Sequence, residues 1–258
     1  MRVQTGENVG IGGVIITGTA PKHVLVRAIG PSLSKFGVPN PLPDPVLELH
    51  GPAGFATVTN NNWADDPVQA ALIVASGLAP TNNLESAIDA TLNPGAYTAV
   101  VRGNVGSSGQ DGVALIEVYD LSQAVLSKLG NISTRAFVST GDNVVIAGFT
   151  LGNNSGLTRI VIRGIGPSLI PFGVANALAD PSLELRDNNA ALLFFNDNWQ
   201  DDPVQAALLT AAGLAPTNNP SESGIVITLG PGQYTAILAG VNNASGVGVV
   251  EVYDLGAP

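Results

Sequence analysis

The chain has 258 residues, of which 45% are apolar and 12% charged, with 20 acidic against 10 basic side chains. The net charge of −10 argues against nucleic acid as a partner, because a phosphate-binding surface needs clustered Lys and Arg. The lack of cysteine excludes a disulfide framework and thiolate metal sites. No stretch approaches the ~20 consecutive apolar residues of a membrane-spanning helix, so we expect no membrane insertion.

Most of the sequence occurs in two similar copies. The clearest pair, Trp63–Asn83 and Trp199–Asn219, differs at four of its 21 positions. Further pairs follow the same order: Thr5–Ile16 with Thr140–Leu151, Val24–Val38 with Ile160–Val174, Leu92–Gly103 with Leu229–Gly240, and Glu117–Leu121 with Glu251–Leu255. The period exceeds the roughly 20–50 residues of solenoid repeats. We therefore predict two domains, 1–121 and 131–258, joined by a linker at 122–130.

Eight segments of the second copy show β-branched residues, two-residue alternation or both, as is typical of strands. In chain order they are "STRAFVST", "NVVIAGFTL", "TRIVIRGI", "SLELRD", "ALLFFN", "GIVITL", "QYTAILAG" and "VGVVEVYD". Such strands with long crossovers favour a two-sheet sandwich. The predicted fold class is all-β, with two tandem jelly-roll-like β-sandwich domains.

One segment of each copy departs from the strand pattern. Asp202 followed by Pro203 is a typical helix start, because a carboxylate caps free N–H groups and proline fits the first turn. Helix formers follow, and Gly213 is a typical helix stop. Asp66 and Gly77 bound the same pattern in the first copy. We therefore predict one short helix in each domain.

The sequence offers little support for catalysis. His23 and His50 lie in the first copy only, and neither has the neighbours of a catalytic triad or metal site. "GIGPSL" lacks the lysine of a phosphate-binding loop and a following helix. We therefore predict that the protein is not an enzyme.

Charged residues recur inside apolar strands of both copies: Arg27, Arg163, Glu48, Glu184, Glu117 and Glu251. An unpaired charge is costly there, so we expect an internal network of arginines and carboxylates that fixes strand register. A functional groove lined by these side chains is the alternative.

The loops before the two helices, "TNNNWADD" and "FNDNWQDD", are rich in oxygen ligands, and "TNNLES" and "TNNPSES" add Glu85 and Glu222. Calcium takes about six to eight oxygens from carboxylates, amides and backbone. The predicted Ca²⁺ ligands are Asp65, Asp66, Asp197, Asp201 and Asp202. The alternative is that Asp66 and Asp202 only cap helices while the asparagines form Asx-turns.

Trp63 and Trp199 lie beside the predicted helix caps. An exposed indole face stacks on a sugar ring, which makes both residues candidates for carbohydrate binding. The alternative is that each tryptophan anchors its helix to a sheet.

The second half of each copy resembles the bacterial pre-peptidase C-terminal domain, in "LELRDNNAALLFFNDNW", "LGPGQYTAILAG" and "GVGVVEVYDL". The whole module, with "NISTRAFVSTGDNVVIAGF" and "RGIGPSL", also resembles tandem repeats of large secreted proteins of environmental bacteria. The resemblance implies a jelly-roll-like sandwich, export and an accessory or surface role, with calcium at Asp65, Asp66, Asp201 and Asp202. Asn61 stands where the second copy has Asp197, which departs from the pattern.

Together these patterns favour a non-catalytic structural or adhesive module of a secreted bacterial surface protein. The alternative is a calcium-stabilised carbohydrate-binding module. The expected partners are neighbouring copies of the chain or of its parent protein, with glycans as the alternative.

The two copies begin differently. "LGNISTRAFVSTGDN" leads into the second copy, whereas only "MRVQTGEN" stands before the same landmark in the first. A sandwich without most of an edge strand exposes unpaired backbone groups, which another strand can satisfy. We expect an open edge in the first copy, filled by the linker or a neighbouring molecule, and end-to-end association of chains. The lack of a signal-peptide pattern after Met1 favours a piece of a longer protein.

Overall fold

The structure is a computed structural model that describes residues 1–6, 8–106, 109–141, 143–152, 156–216 and 219–257. It divides into two compact units, Met1–Gly130 and Asn131–Pro258. Antiparallel strands build both units, which confirms the predicted all-β sandwich class. No helix within these described ranges is long and apolar enough to cross a membrane.

Nine of the described strands lie entirely within the first unit. Its strands are β1 (Arg2–Val3), β2 (Gly10–Gly18), β3 (Lys22–Ile29), β4 (Pro45–His50), β5 (Val58–Asn60), β6 (Ser86–Leu92), β7 (Gly95–Gly103), β8 (Gly112–Val113) and β9 (Leu115–Asp120). Its helical segments are a 3₁₀ helix, Pro31–Phe36, and α1 (Pro67–Ala75). The next strand, β10 (Ser127–Val138), starts within this unit.

Two sheets of the first unit enclose its core. In one sheet β3 lies between β6 and β9, and the other follows the order β2, β7, β4, β5. Val26 of β3, Leu47 of β4 and Val101 of β7 are fully buried in one cluster. The alternation of apolar and polar residues along each strand thus places one face of each sheet in the core.

The second unit repeats this plan. After β10 come β11 (Val145–Leu151), β12 (Thr158–Ile165), a 3₁₀ helix (Pro167–Phe172), β13 (Pro181–Asp187), β14 (Leu192–Asn196), α2 (Pro203–Ala211), β15 (Ser223–Leu229), β16 (Gly232–Gly240), a 3₁₀ turn (Val241–Asn243) and β17 (Gly246–Asp254). One sheet has the order β15, β12, β17, β10, and the other has the order β11, β16, β13, β14. The eight strands predicted for this copy are confirmed.

The two sheets of the second unit approach closely at Gly164 of β12. A Cβ atom there would lie 2.9 Å from Leu238 and 3.0 Å from Leu183, which belong to the opposite sheet. Only glycine fits this contact without displacing its neighbours. Leu183 and Leu238 are themselves fully buried, so the point lies inside the core.

Both predicted α-helices are present, and each is followed by its predicted glycine. Gly77 and Gly213 have φ angles of +73° and +69°, a left-handed conformation that favours glycine and ends the helix. A 3₁₀ helix that the sequence analysis did not predict begins within "GPSL", at Pro31 and at Pro167. Proline at the first helical position presets the required φ angle.

Candidate functional site

Asp66 and Asp202 cap the two α-helices. Oδ1 of Asp66 accepts hydrogen bonds from the backbone N–H groups of Val68 at 2.8 Å and Gln69 at 3.2 Å. Asp202 accepts the corresponding pair at 2.8 and 3.3 Å. Both aspartates have extended backbone angles, as an N-cap requires. The predicted capping role is confirmed in both units.

Of the remaining carboxylates of the acidic loops, Asp65 and Asp201 lie at the surface. Asn62 donates a hydrogen bond from its side chain to Asp65 at 2.8 Å, and Asn198 donates likewise to Asp201 at 3.1 Å. Asp197 is half-buried. Each of these bonds links an asparagine and an aspartate within the loop before the helix.

Two amide oxygens of the first loop stand out. Oδ1 of Asn61 and Oδ1 of Asn62 are enclosed and have no hydrogen-bond partner in the described part of the chain. Calcium accepts such oxygens, although no three His, Cys, Asp or Glu side chains of the described residues cluster as metal ligands. Residues 217 and 218 of "TNNPSES" lie outside the described ranges. Calcium binding by these loops therefore stays a prediction.

The two tryptophans pack inward. Trp199 is 6% exposed, lies in a cluster with Leu209 of α2, and donates its indole N–H to the carbonyl of Asn219 at 3.2 Å. Trp63 is half-buried against the corresponding cluster, which contains Ile73 of α1. An indole as buried as that of Trp199 offers no free face to a sugar ring. The packing of both residues favours their role as helix anchors over the carbohydrate alternative.

The "IGPSL" motif binds a carboxyl group of its own unit. Oε1 of Glu85 accepts hydrogen bonds from the N–H groups of Gly30 at 3.3 Å and Ser32 at 2.9 Å, and Oε2 accepts the Ser32 hydroxyl at 2.9 Å. In the second unit Glu222 makes the same bonds to Gly166 and Ser168, at 3.2, 2.8 and 2.7 Å. Both glutamates are fully buried. They point inward and are not surface ligands of the acidic loops.

The glycine of this motif is required by a close backbone approach. A Cβ atom at Gly30 would lie 2.2 Å from the carbonyl oxygen of Leu42, and one at Gly166 would lie 2.0 Å from that of Leu178. The N–H groups at the start of a helix lack partners within the helix and bind anions readily. Here an internal glutamate takes that place, so the loop is not open to an external phosphate.

The predicted pairing of buried charges is confirmed for one arginine in each unit. Arg27 donates to Glu117 at 2.9 Å and to the hydroxyl of Tyr119 at 2.9 Å. Arg163 makes the matching bonds to Glu251 at 2.8 Å and to Tyr253 at 3.1 Å. These clusters link β3 to β9 and β12 to β17, which supports the expected role in strand register.

Glu48 and Glu184 belong to other ion pairs. Glu48 accepts from Arg102 at 2.9 Å, and Glu184 accepts from Arg186 at 2.6 Å. The corresponding glutamates of the two units are therefore paired with arginines at different positions. Neither pair joins the cluster of Arg27 or Arg163.

The tyrosines of the arginine clusters hold their protons firmly. Burial, together with the neighbouring Glu117, raises the pKa of Tyr119 to about 12. Burial and the charge of Glu251 raise the pKa of Tyr253 in the same way. A protonated Tyr119 donates to Glu117 at 2.8 Å, so it serves as a hydrogen-bond donor and not as a base.

A cavity of about 220 Å³ lies beside the Arg163–Glu251 pair, and Ser168, Phe172 and Glu222 also line it. Sites for drug-sized molecules span roughly 300–1,000 Å³, so this cavity is small. Its charged and hydroxyl groups already bond to one another, Arg163 to Glu251 and Ser168 to Glu222. The cavity therefore does not single out a ligand.

One edge of β9 is open. The strand pairs with β3 on one side, from Leu115 opposite Ile29 to Asp120 opposite Val24, and among the described residues no strand pairs with its other side. Leu115 is 43% exposed.

The pairing that exists upstream of β9 stops at Ala114. Met1 exchanges two backbone hydrogen bonds with Ala114, at 2.9 and 3.0 Å, and β1 pairs with β8 so that Val3 lies opposite Gly112. Among the described residues, no strand pairs with β9 beyond the position of Met1, and the filling of this edge by another segment stays a prediction.

In the second unit β10 covers the corresponding edge. Asn131 lies opposite Tyr253, and the pairing continues to Val138 opposite Gly246. The buried side-chain amide of Asn131 donates to the carbonyl of Val252 at 3.0 Å. β10 is the fourth strand of this sheet, in the order β15, β12, β17, β10. The corresponding sheet of the first unit has the order β6, β3, β9.

The other sheet shows the reverse difference. In the first unit the N–H of Thr19 donates to the carbonyl of Leu126 at 2.9 Å, and the start of β10 runs along β2. In the second unit β11 is the last described strand of its sheet, and Ile146 is 50% exposed. The start of β10 therefore lies beside β2 and also pairs with β1, and the expectation that the linker or a neighbouring molecule fills the β9 edge stays a prediction.

Comparison with known proteins adds no family to these features, because no family model and no curated protein matches the chain. The resemblance to pre-peptidase C-terminal domains stays a prediction. The fold defines the class of the chain as a tandem β-sandwich protein.

Proposed function

We propose that the chain is a non-catalytic structural or adhesive module of a secreted bacterial surface protein, and that modules of this kind connect through sheet edges. The observation that carries the proposal is the internal bonding that both units repeat, in which the buried Glu85 and Glu222 bond to their own "IGPSL" motifs. The association of modules through sheet edges follows from the general tendency of unpaired backbone N–H and C=O groups to bind a further strand.

The polar clusters of both units support a structural role. Glu85 and Glu222 bond to their own "IGPSL" motifs, and Arg27 and Arg163 bond to neighbouring strands. Each cluster ties distant parts of the chain together in the same way in both units. Such duplicated internal bonding is what a repeated scaffold needs, and the resemblance to secreted tandem repeats supports the proposed location.

Self-association tests this function. Static light scattering over a rising concentration of the unmodified chain should show a growing mean mass. A second chain carries Asn-Ile-Ser-Thr-Arg, the sequence of residues 131–135, directly before Met1. Met1 occupies the position that Ala136 has in the second unit, so this extension continues in register along β9.

The extended chain should associate less, because its edge is filled. The matched control has one additional glycine between the extension and Met1, which shifts the register and turns each side chain to the other face. A monomeric unmodified chain at high concentration would contradict the proposal. Equal association of all three chains would contradict the role of β9.

A further inference from the structure

We infer that the chain binds a neutral polysaccharide through an exposed phenylalanine that each unit holds at the same place, Phe36 in the first unit and Phe172 in the second. This inference deepens the adhesive part of the proposed function and rests on it. The two phenylalanines are 81% and 82% exposed, more than any other large apolar residue that the structure describes.

Each phenylalanine lies at the end of a short helix whose two ends are both fixed. The 3₁₀ helices Pro31–Phe36 and Pro167–Phe172 follow glycines whose N–H groups bond to a buried glutamate. They end at Gly37 and Gly173, which have φ angles of +76° and +89° and donate their N–H groups back to the helix. An aromatic side chain on such a fixed backbone loses little conformational freedom when a ligand binds.

The sequence beside the two rings changes between the units, whereas the ring does not. The two residues before the phenylalanine are Ser-Lys in the first unit and Ile-Pro in the second. A ring this exposed contributes little to the packing of its own unit, so the core does not account for its presence in both. A ligand that covers the ring accounts for it.

In the second unit the ring lies at a cavity. Phe172 is the one exposed residue among those that line the cavity of about 220 Å³, and all but Val249 of these lining residues have an identical counterpart in the first unit. The bonded polar groups of this cavity do not single out a ligand, but the exposed ring adds a preference for a flat apolar face. The face of a sugar ring stacks on an aromatic ring in this way.

The cavity also offers hydrogen-bonding groups to hydroxyls. The side chains of Arg163 and Glu251 line it and are 20% and 19% exposed. A carboxylate has about four lone-pair sites, and Nε of Arg163 donates to Oε2 of Glu251 at 2.8 Å, which leaves Oε1 able to accept from a sugar hydroxyl. An aromatic ring beside a charge-balanced ion pair suits a neutral ligand that is rich in hydroxyl groups.

Charge disfavours anionic ligands at the same place. The N–H groups of Gly166 and Ser168, which would otherwise attract a phosphate or carboxylate, already bond to Glu222. The chain as a whole has a net charge of −10, which repels acidic polymers. A neutral glycan meets neither obstacle.

The duplication favours a polymer over a single small molecule. Arg27 bonds to Glu117 in the first unit as Arg163 bonds to Glu251 in the second, so both units carry the ion pair as well as the ring. The repeating rings of a polysaccharide offer each unit the same partner. Two sites on one chain raise the apparent affinity for such a polymer without any new contact.

Affinity electrophoresis of the full chain in native gels tests the site. Each gel contains one neutral polysaccharide, either hydroxyethylcellulose, dextran or xylan, and a further gel contains the anionic polygalacturonate. We expect at least one neutral polysaccharide to slow the migration of the chain in proportion to its concentration. Polygalacturonate should leave the migration unchanged, and retardation by polygalacturonate alone would overturn the inference.

Substitutions of the exposed rings locate the binding. The double variant Phe36→Ala with Phe172→Ala should bind at least about tenfold more weakly, and each single variant should lie between it and the unmodified chain. Phe172→Trp keeps an aromatic face and should retain binding. The matched control is Leu126→Ala, which truncates a residue that is 79% exposed in the linker and should bind as the unmodified chain does.

All of these variants should keep the circular dichroism spectrum of the unmodified chain, because the replaced side chains are exposed. Unchanged binding by the double variant, or an equal loss in Leu126→Ala, would overturn the role of the two rings.

The outcome separates the site from the proposed function. If none of the three neutral polysaccharides slows the chain, the inference is overturned, while self-association in light scattering still supports the structural role. If the double variant lowers self-association and no polysaccharide binds, the rings contact another copy of the chain, and the inference is again overturned. Failure of both binding and self-association overturns both.

Discussion

Ile116 and Val118 of β9 are half-buried at an open edge, whereas Val250 and Val252 of β17 lie almost fully buried beneath β10. The rest of the two units is closely alike, including the capped helix and the glutamate held by "IGPSL". The difference shows that the first unit keeps its sheets and internal bonds with one edge of β9 open. The difference lies in the pairing of Asn131–Val138 with β17, whereas β9 pairs only with β3 among the described residues.

The tryptophans should give the largest difference between the units. Trp199→Ala is expected to lower the free energy of unfolding by about 3–5 kcal/mol, because it leaves a cavity between α2 and its sheet. Trp63→Ala should cost less, because Trp63 is only half-buried. Thermal unfolding followed by circular dichroism measures both. Equal losses would contradict the difference in packing, and a sugar-dependent change in the Trp63 or Trp199 fluorescence of the unmodified chain would revive the carbohydrate alternative.

The buried glutamates should behave alike in both units. Glu222→Gln and Glu85→Gln each replace a carboxylate that accepts three hydrogen bonds by an amide with a single acceptor oxygen. Each substitution should lower the free energy of unfolding by about 2–3 kcal/mol. Ser168→Ala removes one of the three donors and should cost about 1 kcal/mol. Urea unfolding followed by tryptophan fluorescence is suitable, since each unit contains one tryptophan. If the glutamine variants lose less stability than Ser168→Ala, the motif does not depend on its glutamate.

The helix caps should show a smaller and again symmetrical effect. Asp202→Ala and Asp66→Ala should each lower the free energy of unfolding by about 1 kcal/mol, while Asn at either position keeps most of the cap. Differential scanning calorimetry of each variant checks this against the parent chain. No measurable loss would mean that the two cap hydrogen bonds contribute nothing.

Calcium is tested on the same chain. Ca²⁺ bound by the acidic loops raises the melting temperature by mass action, because only the folded state presents the site. Replacing Asp201 and Asp202 together by Asn should remove that increment. A melting curve that responds to neither calcium nor chelator would leave helix capping as the role of these aspartates.

Local sequence signals predicted most of the fold. Alternation marked the strands of the second copy, and Asp202, Pro203 and Gly213 marked the ends of α2, because each acts on its own few residues. The 3₁₀ helix that begins within "GPSL" was missed, since six residues carry too little periodicity to stand out. Similar short helices rest more on tertiary contacts than on propensity.

The inward role of Glu85 and Glu222 could not be read from the sequence. Glu85 bonds to Ser32, 53 residues away, so its neighbours in the sequence gave no sign of its partner. The open edge was predicted because the first copy lacks a counterpart to "NISTRA". Which edge the linker covers depends on how strands pair across the fold, and local pattern does not encode that.

Hydrogen exchange compares the two edges most directly. Amides of open edges exchange faster than amides paired on both sides, so mass spectrometry after deuterium labelling should show faster uptake in Leu115–Asp120 than in Val249–Asp254. In the chain with the in-register extension before Met1, uptake in Leu115–Asp120 should slow toward that of Val249–Asp254. The glycine-shifted control should keep the fast uptake. Equal protection of both strands in the unmodified chain would show that the β9 edge is covered and would contradict the difference between the two edges.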